Sequence, residues 1–296
     1  MTEVFEEHRR TLFGIAYRML GSVADAEDVV QEAWLRWNSA RSDVDNPRAY
    51  LARTVTNLAL NHLSSATVRR ERYVGPWLPE PLVTEPDATE DVERAESVSL
   101  AMLVVMETLS PLERAVFVLK EVFGFPYAEI AQVLERSEAS VRQVGHRARS
   151  HVQARRPRYA APDEVRDVTE RFLAACLGGD LNRMLELLAP DVTAWTDGGG
   201  KVRAALRPLH GADNVARWLL GVIARQVEET KDTGGMDVRF ADVNGQPGAL
   251  IVIGGQPDTV AAVDVADGRI TAMWLVRNPD KLHGVHVGQR SSATDE

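Results

Sequence analysis

Residues 124–152 read GFPYAEIAQVLERSEASVRQVGHRARSHV, and this stretch decides the fold. A short helix is entered through Gly124 and Pro126, LERS makes a tight turn, and a longer helix follows with Ser137 as its N-cap. Short helix, tight turn, longer basic helix is a helix-turn-helix. From Arg136 to Arg158 there are seven arginines and two histidines against one acid, Glu138. That excess stands in a chain of net charge −9, and it is what phosphate neutralisation requires. Side chains near the start of the second helix reach base edges. Ser140, Arg142, Gln143 and His146 lie there. Arginine prefers guanine and glutamine prefers adenine, whereas Arg147 and Arg149 suit phosphate contacts. His146 has no neighbouring partner for a metal. By itself a helix-turn-helix is shared by repressors and activators.

Just upstream, Ser110 with Pro111 and Glu113 forms a capping box. Val104, Met106, Leu109, Val116, Leu119 and Val122 supply apolar helical faces. The N-terminal third reads as three more helices. In the first, Phe5, Leu12, Phe13, Ala16, Tyr17 and Leu20 recur at helical spacing. The second has Ser22 or Asp25 as cap and an acidic first turn. Its Val29, Val30, Ala33, Trp34 and Trp37 turn inward, and Asp28, Gln31, Glu32 and Arg36 turn outward. Pro47 opens the third.

DAEDVVQEAWLRW followed by RAYLARTVTNLALNHL resembles domain 2 of the extracytoplasmic-function (ECF) sigma factors, over about residues 3–70. LSPLERAVFVLKEVFGFPYAEIAQVLERSEASVRQVGHRAR resembles their domain 4, which reads the minus-thirty-five element. The resemblance implies that Asp28, Gln31 and Glu32 dock on the β′ clamp helices of core RNA polymerase, with the β flap as a further contact. It implies that Asn46, Arg53, Asn57 and Asn61 bind and flip bases of the melted minus-ten strand. An unstacked base needs a platform, with cations and amides along the backbone.

The whole chain of 296 residues has room for two or three domains, and its 45% apolar and 26% charged residues are ordinary for a globular protein. It has four lysines, the remaining positive charge being arginine. A single cysteine, Cys176, lies in an apolar periodic segment and reads as a buried thiol; it excludes an internal disulfide and a cysteine-based metal cluster. The charged start MTEVFEEHRR is no signal peptide, and no eighteen-residue apolar run is present. The expectation is a cytoplasmic protein with no membrane association and no cofactor.

Beyond ARRPRYAAP the pattern changes. Two helices broken at Gly178 and Gly179 precede strand, turn and strand over DVTAWTDGGGKVRAALRPLHG, then another helix. MDVRFADV, GALIVIGG, TVAAVDVA and RITAMWLV follow as strands, the last pair joined at Asp267-Gly268. Helices then strands argue an α+β domain with a curved antiparallel sheet. The order resembles the SnoaL-like branch of the NTF2-like superfamily, a cone-shaped barrel closed by helices. A small-molecule pocket would be lined by Trp195, Trp218 and Trp274. Asp197, His210, Asp264 and Asn278 are the titratable or polar candidates for catalysis, but no spacing among them specifies it.

Between the sigma-like segments lies VGPWLPEPLV, residues 74–83, a stiff apolar stretch ahead of an acidic one. ECF sigma factors with a SnoaL-like extension carry WLPEPL in this linker, DGGGK in the extension and NPDKL near its end. All three occur here: Trp77, Leu78, Pro79 and on to Leu82; Asp197, Gly198, Gly199, Gly200 and Lys201; Asn278, Pro279, Asp280, Lys281 and Leu282. The resemblance implies a sigma factor regulated in cis by its extension. The alternative is a third domain that senses a ligand or is catalytic. Trp77, Leu78 and Leu82 are expected to dock near DGGGK, with Lys201 and Lys281 facing linker acids such as Glu80 or Glu85. The expected domains are 1–72, a linker over 73–96, 97–158 and 163–282, with a disordered tail from 283 to 296.

Overall fold

In a computed structural model the structure describes residues 2–39, 44–71, 73–84, 98–155, 160–231 and 235–287. The chain forms two compact units. One combines residues 1–72 with 102–156, and the other combines the linker, 73–101, with 157–296.

The first unit is all-α. Helices α1 (Thr2–Leu20), α2 (Val23–Ser39) and α3 (Pro47–Glu71) form a bundle. Phe5, Leu12, Ile15, Val29, Val30, Leu51 and Val55 are each nearly fully buried there. Ser22 is the cap of α2, its Oγ accepting from Asp25 N at 3.2 Å. After α4 (Leu100–Met106) comes α5 (Pro111–Phe117), which starts at the expected capping box around Ser110 and Glu113. The periodicity predicts a helix running on to Val122; instead residues Val118–Val122 form a π turn, with Phe123 N bonded to Val118 O at 3.2 Å. Gly124, at φ 68°, then reverses the chain.

The helix-turn-helix comprises α6 (Tyr127–Val133) and α7 (Glu138–Gln153). Glu135 in its turn is left-handed, at φ 52°, and Arg136 N reaches back to Ala131 O at 3.0 Å, a Schellman closure. Ser137 caps α7 as expected. Gly145 is needed on the buried face of α7, because a Cβ there would stand 2.9 Å from the Tyr127 hydroxyl.

Arg114 ties α5 to the N-terminal bundle. It is buried, donates to Met19 O at 2.8 Å, and pairs with Glu107 at 2.7 Å. Removing one partner of a buried ion pair strands the other. Arg114→Met is expected to destabilise this unit by about 3 kcal/mol, measured as a fall in the urea midpoint by far-ultraviolet circular dichroism. An unchanged midpoint overturns that role.

The second unit is α+β. Helices α8 (Pro162–Gly178), α9 (Leu181–Leu187) and α10 (Ala212–Thr230) pack on a seven-stranded sheet ordered β1-β4-β5-β6-β7-β2-β3. The strands are β1 (Val83–Thr84), β2 (Leu188–Asp197), β3 (Leu209–His210), β4 (Met236–Val243), β5 (Gln246–Ile253), β6 (Gln256–Ala266) and β7 (Arg269–Val276). Hairpin turns at Asn244-Gly245, Gly254-Gly255 and Asp267-Gly268 have both residues at positive φ, the geometry that matches strand twist.

Two expectations are corrected and one strand is added. The sheet is not wholly antiparallel: β2 runs parallel to β7, which the chain reaches only after β3, α10 and strands β4 to β6, a connection far longer than a hairpin. The linker also supplies a strand that the periodicity does not announce: Val83 and Thr84 add to the sheet edge opposite Val243 and Asp242. The chain is still packed past His283, with Val285 buried and its N–H on Leu282 O at 3.0 Å. Residues 288–296 lie outside the described residues.

Candidate interdomain and nucleic-acid sites

The second unit brings all three linker-associated motifs to one buried carboxylate. Asp197, the last residue of β2, is fully buried. Its Oδ1 accepts from the Tyr73 hydroxyl at 2.6 Å and from Gly199 N at 3.1 Å. Its Oδ2 accepts from Leu78 N at 2.9 Å and pairs with Lys281 Nζ at 2.8 Å. Lys281 also donates to Leu78 O and lies 4.1 Å from the centroid of the Trp77 ring. Asn278 donates to the Tyr73 oxygen at 2.8 Å and caps the short turn Pro279–Lys281. One aspartate thus takes donors from the linker, from the glycine loop and from the terminal turn.

The glycines permit this approach. Gly199 is left-handed, and a Cβ on it would stand 2.5 Å from the Asn278 amide. A Cβ on Gly198 would strike Val202 O at 2.5 Å. Gly200 abuts Val74 of the linker.

Of the expected anchors, Leu78 is the deep one, with Pro79 and Glu80 buried beside it. Trp77 is only half-buried and covers the Lys281 ammonium. Leu82 is also half-buried; its main chain pairs with Asn244, which donates N–H to Leu82 O at 2.8 Å. Lys281 pairs with Asp197 at 2.8 Å, and Lys201 with Asp280 at 2.6 Å. Glu85 lies outside the described residues. Tyr73 was missed, since it stands four residues before Trp77 with no periodic signal.

Burial, and then its bond to Asp197, pushes the Tyr73 phenol well above the usual tyrosine range. A raised folded pKa favours docking fully below pH ~10 and loses that favour as pH rises through the folded value. Ultraviolet difference titration of the wild type against Tyr73→Phe should therefore show one phenol ionising later than the others; a difference curve centred near pH ~10 contradicts this.

Asp197→Ala leaves Lys281 buried without its anion. Amide exchange at residues 73–84 is expected to accelerate at least roughly tenfold, while β5 and β6 keep their protection. Unchanged exchange at Leu78 overturns the anchor.

Between helices and sheet, Phe172 of α8, Trp218 and Ile223 of α10, and Met273 and Leu275 of β7 line a cavity of about 90 Å³. Only Trp218 of the three expected tryptophans reaches it. Trp195 and Trp274, opposite one another in register on neighbouring strands, stack at 5.9 Å, and strand alternation turns them away from Met273 and Leu275. None of Asp197, His210, Asp264 and Asn278 lines it either. His210 is exposed, bonded to Thr193 at 3.2 Å, and Asp264 is half-buried. Cys176 does line it, and burial pushes its thiol up to about 12, so it is no nucleophile at neutral pH. No cluster of three or more metal-ligating side chains occurs among the described residues.

In the first unit Arg53, Asn57 and Asn61 follow at i, i+4 and i+8 along one stripe of α3. Arg53 is paired with Glu135 of the helix-turn-helix turn. Asn46 is exposed, and its Oδ1 caps α3 through Ala49 N at 3.0 Å. On α7, Gln143, His146 and Arg147 are exposed on the side opposite Val141, Val144 and Ala148, with Ser140 half-exposed. Arg142 is held by Glu138 at 3.0 Å and stacks on Tyr127, and Arg149 pairs with Glu121 at 2.7 Å. Asp28, Gln31 and Glu32 are all exposed on α2, Glu32 bonded to Arg36.

Residues 4–69 match sigma-70 region 2, and residues 99–152 match sigma-70 region 4. The chain is 42% identical to the ECF RNA polymerase sigma factor SigJ of Mycobacterium tuberculosis, over 97% of this chain and 94% of that one. This chain belongs to the ECF sigma factors. A probable ECF sigma factor of the same organism, SigI, is 33% identical over 95% of this chain and 94% of its own. The crystal structure of M. tuberculosis SigJ superposes with a TM-score of 0.76 at 39% identity, covering 95% of this chain and 98% of that one. Like other sigma factors, this ECF protein binds core RNA polymerase and promoter DNA; it is an initiation subunit, not an enzyme. No helix among its described residues is long and apolar enough to cross a membrane.

Proposed function

We propose that this sigma factor is regulated in cis: its α+β domain grips the linker between the two sigma domains and keeps them closed. The observation that carries this is the linker's seat, with Leu78 buried and held by Asp197 and Lys281. Tyr73 stands two residues past the end of α3, so the grip begins where domain 2 ends.

The first unit supports a closed state. Arg53, offered to the minus-ten strand, is paired with Glu135 in the turn of the minus-thirty-five reader. Those promoter elements lie roughly 25 base pairs, or about 85 Å, apart along a duplex. Two surfaces in mutual contact do not serve both at once. Opening releases Arg53 to join Asn46, Asn57 and Asn61 on the melted strand. It also lets Ser140, Arg142, Gln143 and His146 face bases, with Arg147 and Arg149 on phosphates. Asp28, Gln31 and Glu32 meet the β′ clamp helices, and domain 4 meets the β flap, in the cytoplasm where the polymerase works.

The test is in vitro transcription with core polymerase on a promoter selected from a random library. Asp197→Ala, Leu78→Asp and a truncation ending near Pro162 should each transcribe more strongly than the wild type. Weaker transcription by all three means that the extension assembles the active form, and the inhibitory reading falls.

A further inference from the structure

Tyr127 opens α6, yet its side chain lies against α7. A Cβ at Gly145 would stand 2.9 Å from its hydroxyl and 3.1 Å from its ring, so the glycine is what admits the ring to the α7 backbone. The Arg142 guanidinium carbon lies 5.0 Å from the centroid of that ring, and the Lys120 ammonium, in the π turn, lies 5.0 Å from it as well. Both are within cation–π range. Arg142 also pairs with Glu138, one turn earlier on α7, through Nε at 3.0 Å and through Nη2. That pair is exposed, so alone it is weak and opens readily. The ring from α6 is a second, independent restraint on the same guanidinium. Glu138 occupies the edge formed by Nε and Nη2. The end edge, Nη1 with the second proton of Nη2, carries the two parallel donors that match guanine O6 and N7.

We infer that Tyr127 is a positioning residue for promoter recognition: its ring fixes the Arg142 guanidinium so that the end edge meets one guanine of the minus-thirty-five element. The inference rests on the base-reading role given to Arg142 in the proposed function. A long arginine side chain loses much rotamer freedom when it binds, and less when its planar group is already held. Tyr127 acts through Arg142 and not on DNA. Its effect is therefore confined to one base, because among the described residues Lys120 and Arg142 are the cations over this ring, and Lys120 lies outside α7.

The test uses holoenzyme made from the full chain and core polymerase. It selects bound promoters from a library randomised through the minus-thirty-five element, and sequencing reads the preference at each position. The wild type should enrich a guanine that Arg142→Ala no longer selects, which assigns the position. Tyr127→Leu should lower the preference for that guanine roughly two- to fivefold, while the preferences at the other positions stand. Tyr127→Phe keeps the ring face and should select as the wild type does. If Tyr127→Leu flattens every position alike, the ring only holds the fold and the inference is overturned. It is overturned equally if Tyr127→Leu keeps the full guanine preference. If the wild type and Arg142→Ala select the same bases, it is the base-reading role of Arg142 that fails, and the inference falls with it. The readout is base preference within one element, so it does not depend on whether the extension inhibits or activates.

Discussion

Asp197 is the constraint on which the second unit's arrangement rests. A carboxylate removed from water is tolerable only when it is paired and its lone pairs are filled. Here the pairing partner comes from the terminal turn, and the hydrogen-bond donors come from the linker and the glycine loop. Taking away any one leaves the others holding a buried charge. The interaction therefore selects one arrangement of three distant segments more strongly than it stabilises the fold. The glycines serve the same end. With side chains at Gly198 or Gly199, the loop could not close on Val202 and Asn278.

The first unit uses a related device with the opposite sign. Arg114 is a buried cation held by Glu107 and a helix-end carbonyl, Met19 O. Around it, cations that nucleic acid would recruit are occupied internally: Arg53 by Glu135, Arg142 by Glu138 and Arg149 by Glu121. Each of these outer pairs is exposed, so each is weak and screened by salt. Pairs this weak can be exchanged for phosphates, as the proposed opening requires, whereas the buried Arg114 pair cannot. The unit thus separates a permanent electrostatic tie from a set of provisional ones.

Much of this was legible in the chain. Helix starts at Ser22, Ser110 and Ser137 and the turn at Asp267-Gly268 follow from local chemistry, and local chemistry is what a single sequence displays. The helix-turn-helix was readable for the same reason. The three linker-associated motifs were visible as motifs, but not their wiring. Nothing in NPDKL says that Lys281 reaches Asp197; that depends on which carboxylate a distant strand buries. The π turn at Val118–Val122 leaves the apolar periodicity intact, so it stayed hidden. The parallel β2–β7 pairing is non-local, and so is the strand added by Val83 and Thr84. Trp195 and Trp274 misled because a tryptophan suits a stack as well as a pocket.

The strength of the linker's grip follows from its parts. One fully buried leucine contributes about 2–3 kcal/mol, a two-residue strand adds little, and a buried ion pair gives specificity more than net stability. As a contact between separate molecules this would be feeble. Tethered, it faces an effective concentration on the order of millimolar, which is what the proposed closed state requires. Driving such an equilibrium from about 1:99 to 99:1 takes roughly 5.5 kcal/mol of differential binding, well within what a large polymerase interface supplies. A grip built from one leucine, one short strand and one buried aspartate is therefore matched to its task. In the proposed closed state it holds the free protein shut, and it yields to a partner that binds only the open form.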